Sequence, residues 1–231
     1  MIQLPEYLLW IGTALLAGYI AALGWRLGVS RHFPILTTYL ILSLIADLAR
    51  FIVLERLGFA AEQYMYTYYV SDSLLAVALY LVVVELYRRI LTSEHGKFLP
   101  RYSLAMFVLL TVVSYAEVWQ SRAQPLIAFA YQLATNFWFV SVGLTLLLWG
   151  FVYFRDLPRG IAARMVQVWG IYFLLMASTY FMFYFFHNLP PSTPRLHLEI
   201  PVMAQVWLPL GLGFAILNKS QNGHSSGNVP R

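Results

Sequence analysis

Three ionisable residues lie within long apolar stretches of the sequence, where a charge is expensive unless it has a partner. Asp47 and Arg50 belong to one stretch and are three residues apart, so a helix would place them at neighbouring positions on one face. Asp72 belongs to the next stretch. Because each charge in such a group lowers the desolvation cost of the others, the sequence predicts that the three side chains form a cluster.

Other polar side chains are predicted to reach the depth of this cluster from later apolar stretches. Pro209 cannot donate a hydrogen bond to the carbonyl four residues back, so Gln205 is expected to present a free backbone oxygen at a kink. The full set predicted to bind a ligand, or to form a polar cluster, is Asp47, Arg50, Asp72, Gln132, Asn136 and Gln205. Tyrosines accompany this set, among them Tyr66, Tyr68 and Tyr69.

Two interpretations of the predicted cluster are open. In the first, it is a buried ion-pair clip that holds two helices together, and the amides form interhelical hydrogen bonds. In the second, it lines an outward-facing cavity for a small ligand or a proton-linked solute. The first predicts that removing a charge unfolds the protein. The second predicts that the fold survives and the response to the ligand is lost.

The composition indicates a membrane protein. Of the 231 residues, 60% are hydrophobic and 11% are charged, whereas a soluble domain carries about 25% charged residues. A chain of this length cannot hide so much apolar surface in a core of its own, but lipid removes that surface from water directly. Tyr, Phe and Trp are abundant as well, and aromatic rings are typical of the membrane interface.

Seven stretches reach the length of about 20 residues that a helix needs to cross the hydrocarbon core. Helices are required because lipid offers no hydrogen-bond partners to the backbone. The sequence therefore predicts an all-α membrane protein, a single seven-transmembrane helix bundle over residues 1–217, followed by a disordered tail at 218–231. The predicted spans are roughly Leu8–Leu27, Phe33–Leu54, Met65–Tyr87, Leu99–Trp119, Leu126–Phe154, Ile161–Phe186 and Ile200–Leu217.

The distribution of Lys and Arg predicts the orientation, since cytoplasmic loops are enriched in both residues. Only Arg56, Arg122 and Arg195 fall on the opposite side, which we expect to be outside. With seven spans, the N-terminus is predicted outside and the C-terminus in the cytoplasm. The basic residues on the expected cytoplasmic side are Arg26, Arg31, Arg88, Arg89, Lys97, Arg101, Arg155, Arg159, Arg164, Lys219 and Arg231.

Two acidic residues near the ends of predicted spans have local explanations. Glu85 lies three and four residues before Arg88 and Arg89, so the spacing predicts an ion pair along one helix. Glu117 is expected to be an interfacial residue at the outer end of the fourth span. Neither residue is included in the predicted binding set.

The sequence predicts no cofactor and no metal site. The plan of seven spans with an external N-terminus resembles rhodopsin-like bundles and bacterial seven-helix sensor regions in topology alone. Retinal would need a lysine in the last span, and the last predicted span has none. The two lysines are Lys97, in a loop, and Lys219, just after the seventh predicted span. The histidines, which haem would need inside facing helices, lie at span ends or in loops; they are His32, His95, His187, His197 and His224. There is no cysteine, and catalytic residues cannot be assigned.

We expect a receptor-like or accessory bundle that binds a small ligand in its outer half and works with a separate signalling or transport partner. The lipid bilayer is the expected environment, in a prokaryotic inner membrane, and nucleic acid is not an expected partner. One alternative is a small transporter or channel subunit that uses the same cluster. Another is a membrane enzyme that acts on lipid.

Overall fold

The computed structural model of the chain describes residues 4–58, 60–91, 99–119, 125–154, 161–186, 208, 210–213 and 215. Regular structure in these ranges is helical throughout, so the all-α class is confirmed. The helices are α1 (Leu4–Arg26), α2 (Val29–His32), α3 (Pro34–Leu57), α4 (Glu62–Ile90), α5 (Leu99–Val118), α6 (Pro125–Phe154) and α7 (Ile161–Phe186).

Four of the described helices are long and apolar enough to cross a membrane. They are α3, α4, the Arg101–Val118 part of α5, and α6. This is the pattern of an integral membrane protein. The first six predicted spans each coincide with a described helix, whereas most of the seventh, 200–217, lies outside the described residues. The count of seven and the orientation therefore stay predictions, as does the single domain over residues 1–217; the tail at 218–231 also lies outside the described residues.

Two adjacent helices extend beyond their predicted apolar segments. The helix predicted to end at Leu54 continues to Leu57, and the helix predicted to begin at Met65 begins at Glu62. Hydropathy marks where lipid contact ends, but backbone hydrogen bonding continues into the polar flanks. The short helix α2 lies where the sequence predicts only a connection.

The chain divides into two compact units. One comprises Ser30–Leu148, and the other comprises Met1–Val29 with Trp149–Arg231. Within the first unit, α3 ends at Leu57 and is followed by its C-cap, Gly58, whose φ of 80° is in the left-handed region that glycine adopts without strain. The Gly58 N–H donates to the Leu54 carbonyl. This turn starts the short connection to α4.

Three contacts define the pairing of α3 with α4. Arg50 contacts Ser71, Leu36 contacts Glu85, and His32, just before α3, contacts Arg89. In these three pairs, lower residue numbers on the α3 side are matched with higher residue numbers on α4. The two helices are therefore antiparallel and keep one register along their length. The α3–α4 pair is the most extensive helix pair among the described residues.

Helix α4 is also the central element of the Ser30–Leu148 unit. Ala76 and Tyr80 of α4 pack with Leu110 of α5 and with Ala134 and Phe137 of α6. The Tyr80 and Phe137 rings lie 5.4 Å apart and nearly perpendicular, an arrangement that aromatic pairs favour. The buried Tyr80 hydroxyl donates to the Ser103 carbonyl at 2.8 Å. Hydrogen bonds and ring packing therefore hold α5 and α6 against α4.

The second unit has close helix contacts of its own. A Cβ at Gly170 of α7 would lie 2.6 Å from the Trp149 ring, so this approach requires glycine. A Cβ at Gly211 would lie 2.7 Å from a Val168 methyl group. Small residues commonly allow such approaches between membrane helices.

Candidate functional site

The side chain of Arg50 reaches from α3 to α4 and makes three hydrogen bonds there. Its Nε donates to Ser71 Oγ at 2.7 Å. Its Nη2 donates to the Tyr68 carbonyl at 3.2 Å and to Asp72 Oδ1 at 3.5 Å. The guanidinium carbon also lies 4.5 Å from the centre of the Tyr68 ring, which is cation–π geometry. We call Arg50, Tyr68, Ser71 and Asp72 the Arg50 cluster.

The two charged members of the Arg50 cluster differ in exposure. The side chain of Arg50 keeps 13% of its surface accessible, and that of Asp72 keeps 47%. The difference arises because Arg50 lies between a tyrosine ring and three acceptors, whereas Asp72 contributes one oxygen at the margin of the cluster. The cluster therefore presents its carboxylate to the surroundings and retains its guanidinium inside.

Tyrosine rings continue the Arg50 cluster along α4 and onto α6. The Tyr68 and Tyr69 rings lie 5.4 Å apart, and Tyr69 meets Tyr131 of α6 at 5.9 Å with an interplanar angle of 87°. Tyr64 lies 6.3 Å from Tyr68, one turn nearer the start of α4. Because residues three and four apart share a helix face, Tyr68 and Tyr69 both lie one turn before Asp72. The carboxylate thus has aromatic neighbours on its own helix.

A second polar cluster joins α5 to α6. Asn136 Nδ2 donates to Ser114 Oγ at 3.0 Å and to a Glu117 carboxylate oxygen at 3.3 Å. Ser114 is fully buried and also donates to the Leu110 carbonyl. Interhelical bonds of this type stabilise membrane helix pairs modestly. The amide of Asn136 is therefore bound to α5.

The structure brings together part of the set predicted from the sequence. Arg50 and Asp72 form an ion pair. Asp47 lies on α3 one turn before Arg50 and is partly buried, as is Gln132 of α6, one turn before Asn136. Gln205 lies outside the described residues. Both interpretations of the set, the structural clip and the ligand site, stay predictions.

Sequence reasoning missed Ser71 and Ser114 as partners in these clusters. Ser71 precedes Asp72 directly, and the register that joins α3 to α4 is the signal that would have identified it. Ser114 offers no comparable signal, because hydroxyls in membrane helices usually bond to a carbonyl of their own helix. Glu117, expected only as an interfacial residue, accepts a hydrogen bond from Asn136.

Near the opposite end of the α3–α4 pair, Glu85 caps a helix that is not its own. Its Oε2 accepts the backbone N–H of Leu36 at 3.1 Å. Helix α3 begins with Pro34, and its N-cap residue, Phe33, supplies no side-chain hydrogen bond. The first N–H groups of a helix lack partners within the helix and attract negative charge. Glu85, which is 6% exposed, therefore supplies the hydrogen-bond acceptor at the N-terminus of α3 that the N-cap residue of α3 does not supply.

Arg89 holds the segment immediately before α3. Its Nη2 donates to the His32 carbonyl, at the end of α2. Its guanidinium carbon lies 5.4 Å from the centre of the buried Phe33 ring. A cation at the C-terminal carbonyls of one helix and an anion at the N-terminus of the next both match the helix dipoles. We call Glu85 and Arg89 the α4 clamp.

The α4 clamp corrects the sequence-based explanation of Glu85. The sequence predicts an ion pair with Arg88 or Arg89, but the hydrogen bond described for Glu85 goes to α3, 49 residues away in sequence. The positive charges of Arg89 and Arg88 also attract the carboxylate. The carboxylate binds α3 because a buried backbone N–H without a partner is costly, whereas Arg89 has the His32 carbonyl as its partner and Arg88 is exposed.

The fold and the two clusters define an all-α protein whose helices are suited to a membrane and in which, among the described residues, Arg50 and Asp72 form an ion pair between two of those helices. Among the described residues, no three His, Asp or Glu side chains form a group that could hold a metal ion. In comparison with known proteins, no family model, no curated protein and no solved structure matches the chain.

Proposed function

We propose that the chain is a seven-helix membrane protein that binds a small ligand at the Arg50 cluster, as a receptor-like or accessory bundle. Its N-terminus is outside, its C-terminus is cytoplasmic, and the membrane is a prokaryotic inner membrane. The observation that carries the proposal is a charge pair between two candidate spanning helices in which the carboxylate is half-exposed. Ionisable groups kept within a membrane are often functional.

The described helices support the proposed topology indirectly. The first six proposed spans coincide with α1 and α3 to α7. The Arg50 cluster lies two to three helical turns from the α3–α4 connection, and the α4 clamp lies near the other ends of the same two helices. If Arg89 of the α4 clamp lies on the proposed cytoplasmic side, the Arg50 cluster lies in the outer half of the membrane.

Single-cysteine labelling tests this topology, because the chain has no cysteine of its own. A membrane-impermeant maleimide should label an Ala60→Cys variant in intact cells, since Ala60 is exposed between α3 and α4. A Leu27→Cys variant should react only after permeabilisation. Cysteines at Gln3 and Ser226 should react from opposite sides, as an odd number of spans requires. Labelling of Gln3→Cys and Ser226→Cys from the same side would rule out seven spans.

Ligand binding is tested by a thermal-shift screen on the purified full chain in detergent. The library contains small anions, cations and neutral compounds. A true ligand at about 100 times its Kd should raise Tm by about 5 °C or more for a protein of this size. The shift should fall by about half or more in Asp72→Asn and persist in Glu62→Gln, a control at an exposed acid on the same helix.

Size exclusion and circular dichroism must show that the Asp72→Asn variant remains folded. A folded variant that keeps every shift would remove the Arg50 cluster as the binding site. A library without a single stabilising compound would count against ligand binding altogether. A variant that merely unfolds would favour the structural clip.

The transport alternative receives less support from the contacts. A transporter needs polar groups that lead from the cluster to the cytoplasm, and Glu85 is the acidic residue of α4 beyond the Arg50 cluster in that proposed direction. Its carboxylate binds the backbone of α3, and the residue as a whole is 6% exposed. The contacts of Glu85 therefore indicate a structural role at the N-terminus of α3 and not a role in transport.

A further inference from the structure

We infer that the ligand received by the Arg50 cluster is an organic cation, a protonated amine that binds Asp72 among tyrosine rings. The inference rests on the proposed function and adds the chemical class of the ligand. Asp72 Oδ1 accepts a hydrogen bond from Arg50, and the side chain of Asp72 keeps 47% of its surface accessible. The carboxylate can therefore accept a second, cationic partner on its exposed side.

Exposure favours the same sign of ligand. An anion would have to reach Arg50, whose side chain keeps 13% of its surface and is already bonded through Nε and Nη2. It would also pass the carboxylate of Asp72, which keeps 47% of its surface. A cation meets the exposed carboxylate first and leaves the hydrogen bonds of Arg50 intact. The geometry therefore discriminates against anions by electrostatic repulsion.

The rings indicate an organic amine in preference to a bare metal ion. Arg50 already lies over the Tyr68 ring, which shows that this aromatic face accepts a positive charge. Tyr69 lies one turn before Asp72 and contacts Tyr131, which is 55% exposed on α6. A calcium ion would require about six to eight oxygen ligands. One carboxylate beside aromatic rings instead suits an ammonium group with apolar substituents.

The test uses four probes of matched size and different charge on the purified full chain in detergent. Benzylammonium and tetraethylammonium are the cations, benzoate is the anion, and benzyl alcohol is the neutral compound. Titration followed by Tm should show stabilisation by a cation and none by benzoate or benzyl alcohol. Asp72→Asn should weaken the binding of the cation about tenfold or more, the loss expected for a charge-assisted hydrogen bond.

Variants at the rings separate aromatic binding from simple charge attraction. Tyr131→Leu should weaken cation binding about three- to tenfold, whereas Tyr102→Leu, at an exposed tyrosine of α5, should leave it unchanged. Equal effects of the two substitutions would remove the aromatic part of the inference. Glu62→Gln is the control for Asp72→Asn and should bind as the wild type does.

The outcomes distinguish this inference from the proposed function. Stabilisation by benzoate that is lost in Arg50→Gln would overturn the cation while supporting a ligand site at the cluster. No response to either cation would also overturn the inference, and the library screen would then decide on ligand binding. Cation binding of unchanged affinity in a folded Asp72→Asn variant would overturn it as well.

Discussion

Replacing Glu85 with alanine is expected to lower the free energy of unfolding by about 2 to 3 kcal/mol, the usual value of a buried hydrogen bond to a charged group. The substitution removes the acceptor of the Leu36 N–H, and α3 has no side-chain cap of its own to replace it. It also removes a negative charge from the N-terminus of α3. Chemical denaturation in detergent micelles measures the loss.

Two further variants make the Glu85 prediction specific. Glu85→Gln keeps an acceptor oxygen and loses the charge, so it should retain about half of the stabilisation. Glu62→Ala removes an exposed acid from the first turn of the same helix and should cost under about 1 kcal/mol. Hydrogen exchange at residues 35–37 should accelerate in Glu85→Ala and not in Glu62→Ala. Equal losses of stability in both alanine variants would show that the cap has no special value.

Element positions were largely predictable from the sequence, because the transfer of apolar residues into lipid is a local property of each stretch. The predicted span Ile161–Phe186 has the same bounds as α7, and Leu126–Phe154 differs from α6 by one residue. Errors occur where polar residues continue a helix beyond lipid, as at the end of α3. Backbone hydrogen bonds decide that extension, and hydropathy does not report them.

Partners across helices were harder to predict, because they depend on register. The sequence predicts an ion pair between Glu85 and an arginine of its own helix, whereas in the structure Glu85 accepts a hydrogen bond from the backbone of another helix. The register could have been extended from the predicted cluster. If Arg50 lies opposite Ser71 in an antiparallel pair, then Leu36 lies opposite Glu85. One correct contact thus carries information about the whole helix pair.

The ionisable residues within apolar stretches were the part of the candidate site that sequence could indicate, since their cost is evident without a fold. Their exposure was not predictable. The sequence treats Asp47 and Asp72 as equivalent partners of Arg50, and the ion pair described in the structure involves Asp72. Nor does the sequence show that Asn136 bonds to Glu117, because the packing of α5 on α6 determines that contact.

A double-mutant cycle at Arg50 and Asp72 is expected to give unequal single effects. Arg50→Met should lower the free energy of unfolding by about 2 kcal/mol, below the 3 to 5 kcal/mol typical of a fully buried pair, because Asp72 is half-exposed. Asp72→Asn should lower the free energy of unfolding by less, about 1 kcal/mol. Asparagine keeps an oxygen that can accept the hydrogen bond of Arg50, and the exposed carboxylate oxygen makes no stabilising contact with the described residues that would be lost. Denaturation in detergent micelles measures all four proteins.

The coupling between the two substitutions then separates the interpretations of the cluster. A structural clip requires both charges equally, so it predicts similar single effects and a coupling energy near the upper end of the range for contacting residues, about 3 kcal/mol. A site that offers its carboxylate to a ligand predicts a small stability effect of Asp72→Asn, a coupling of about 1 kcal/mol, and a ligand-induced rise in Tm that falls by about half or more. Stability then depends mainly on Arg50, through its bonds to Ser71 and the Tyr68 carbonyl, and binding depends on Asp72. Similar single effects with strong coupling, and no compound that stabilises the wild type, would establish the clip instead.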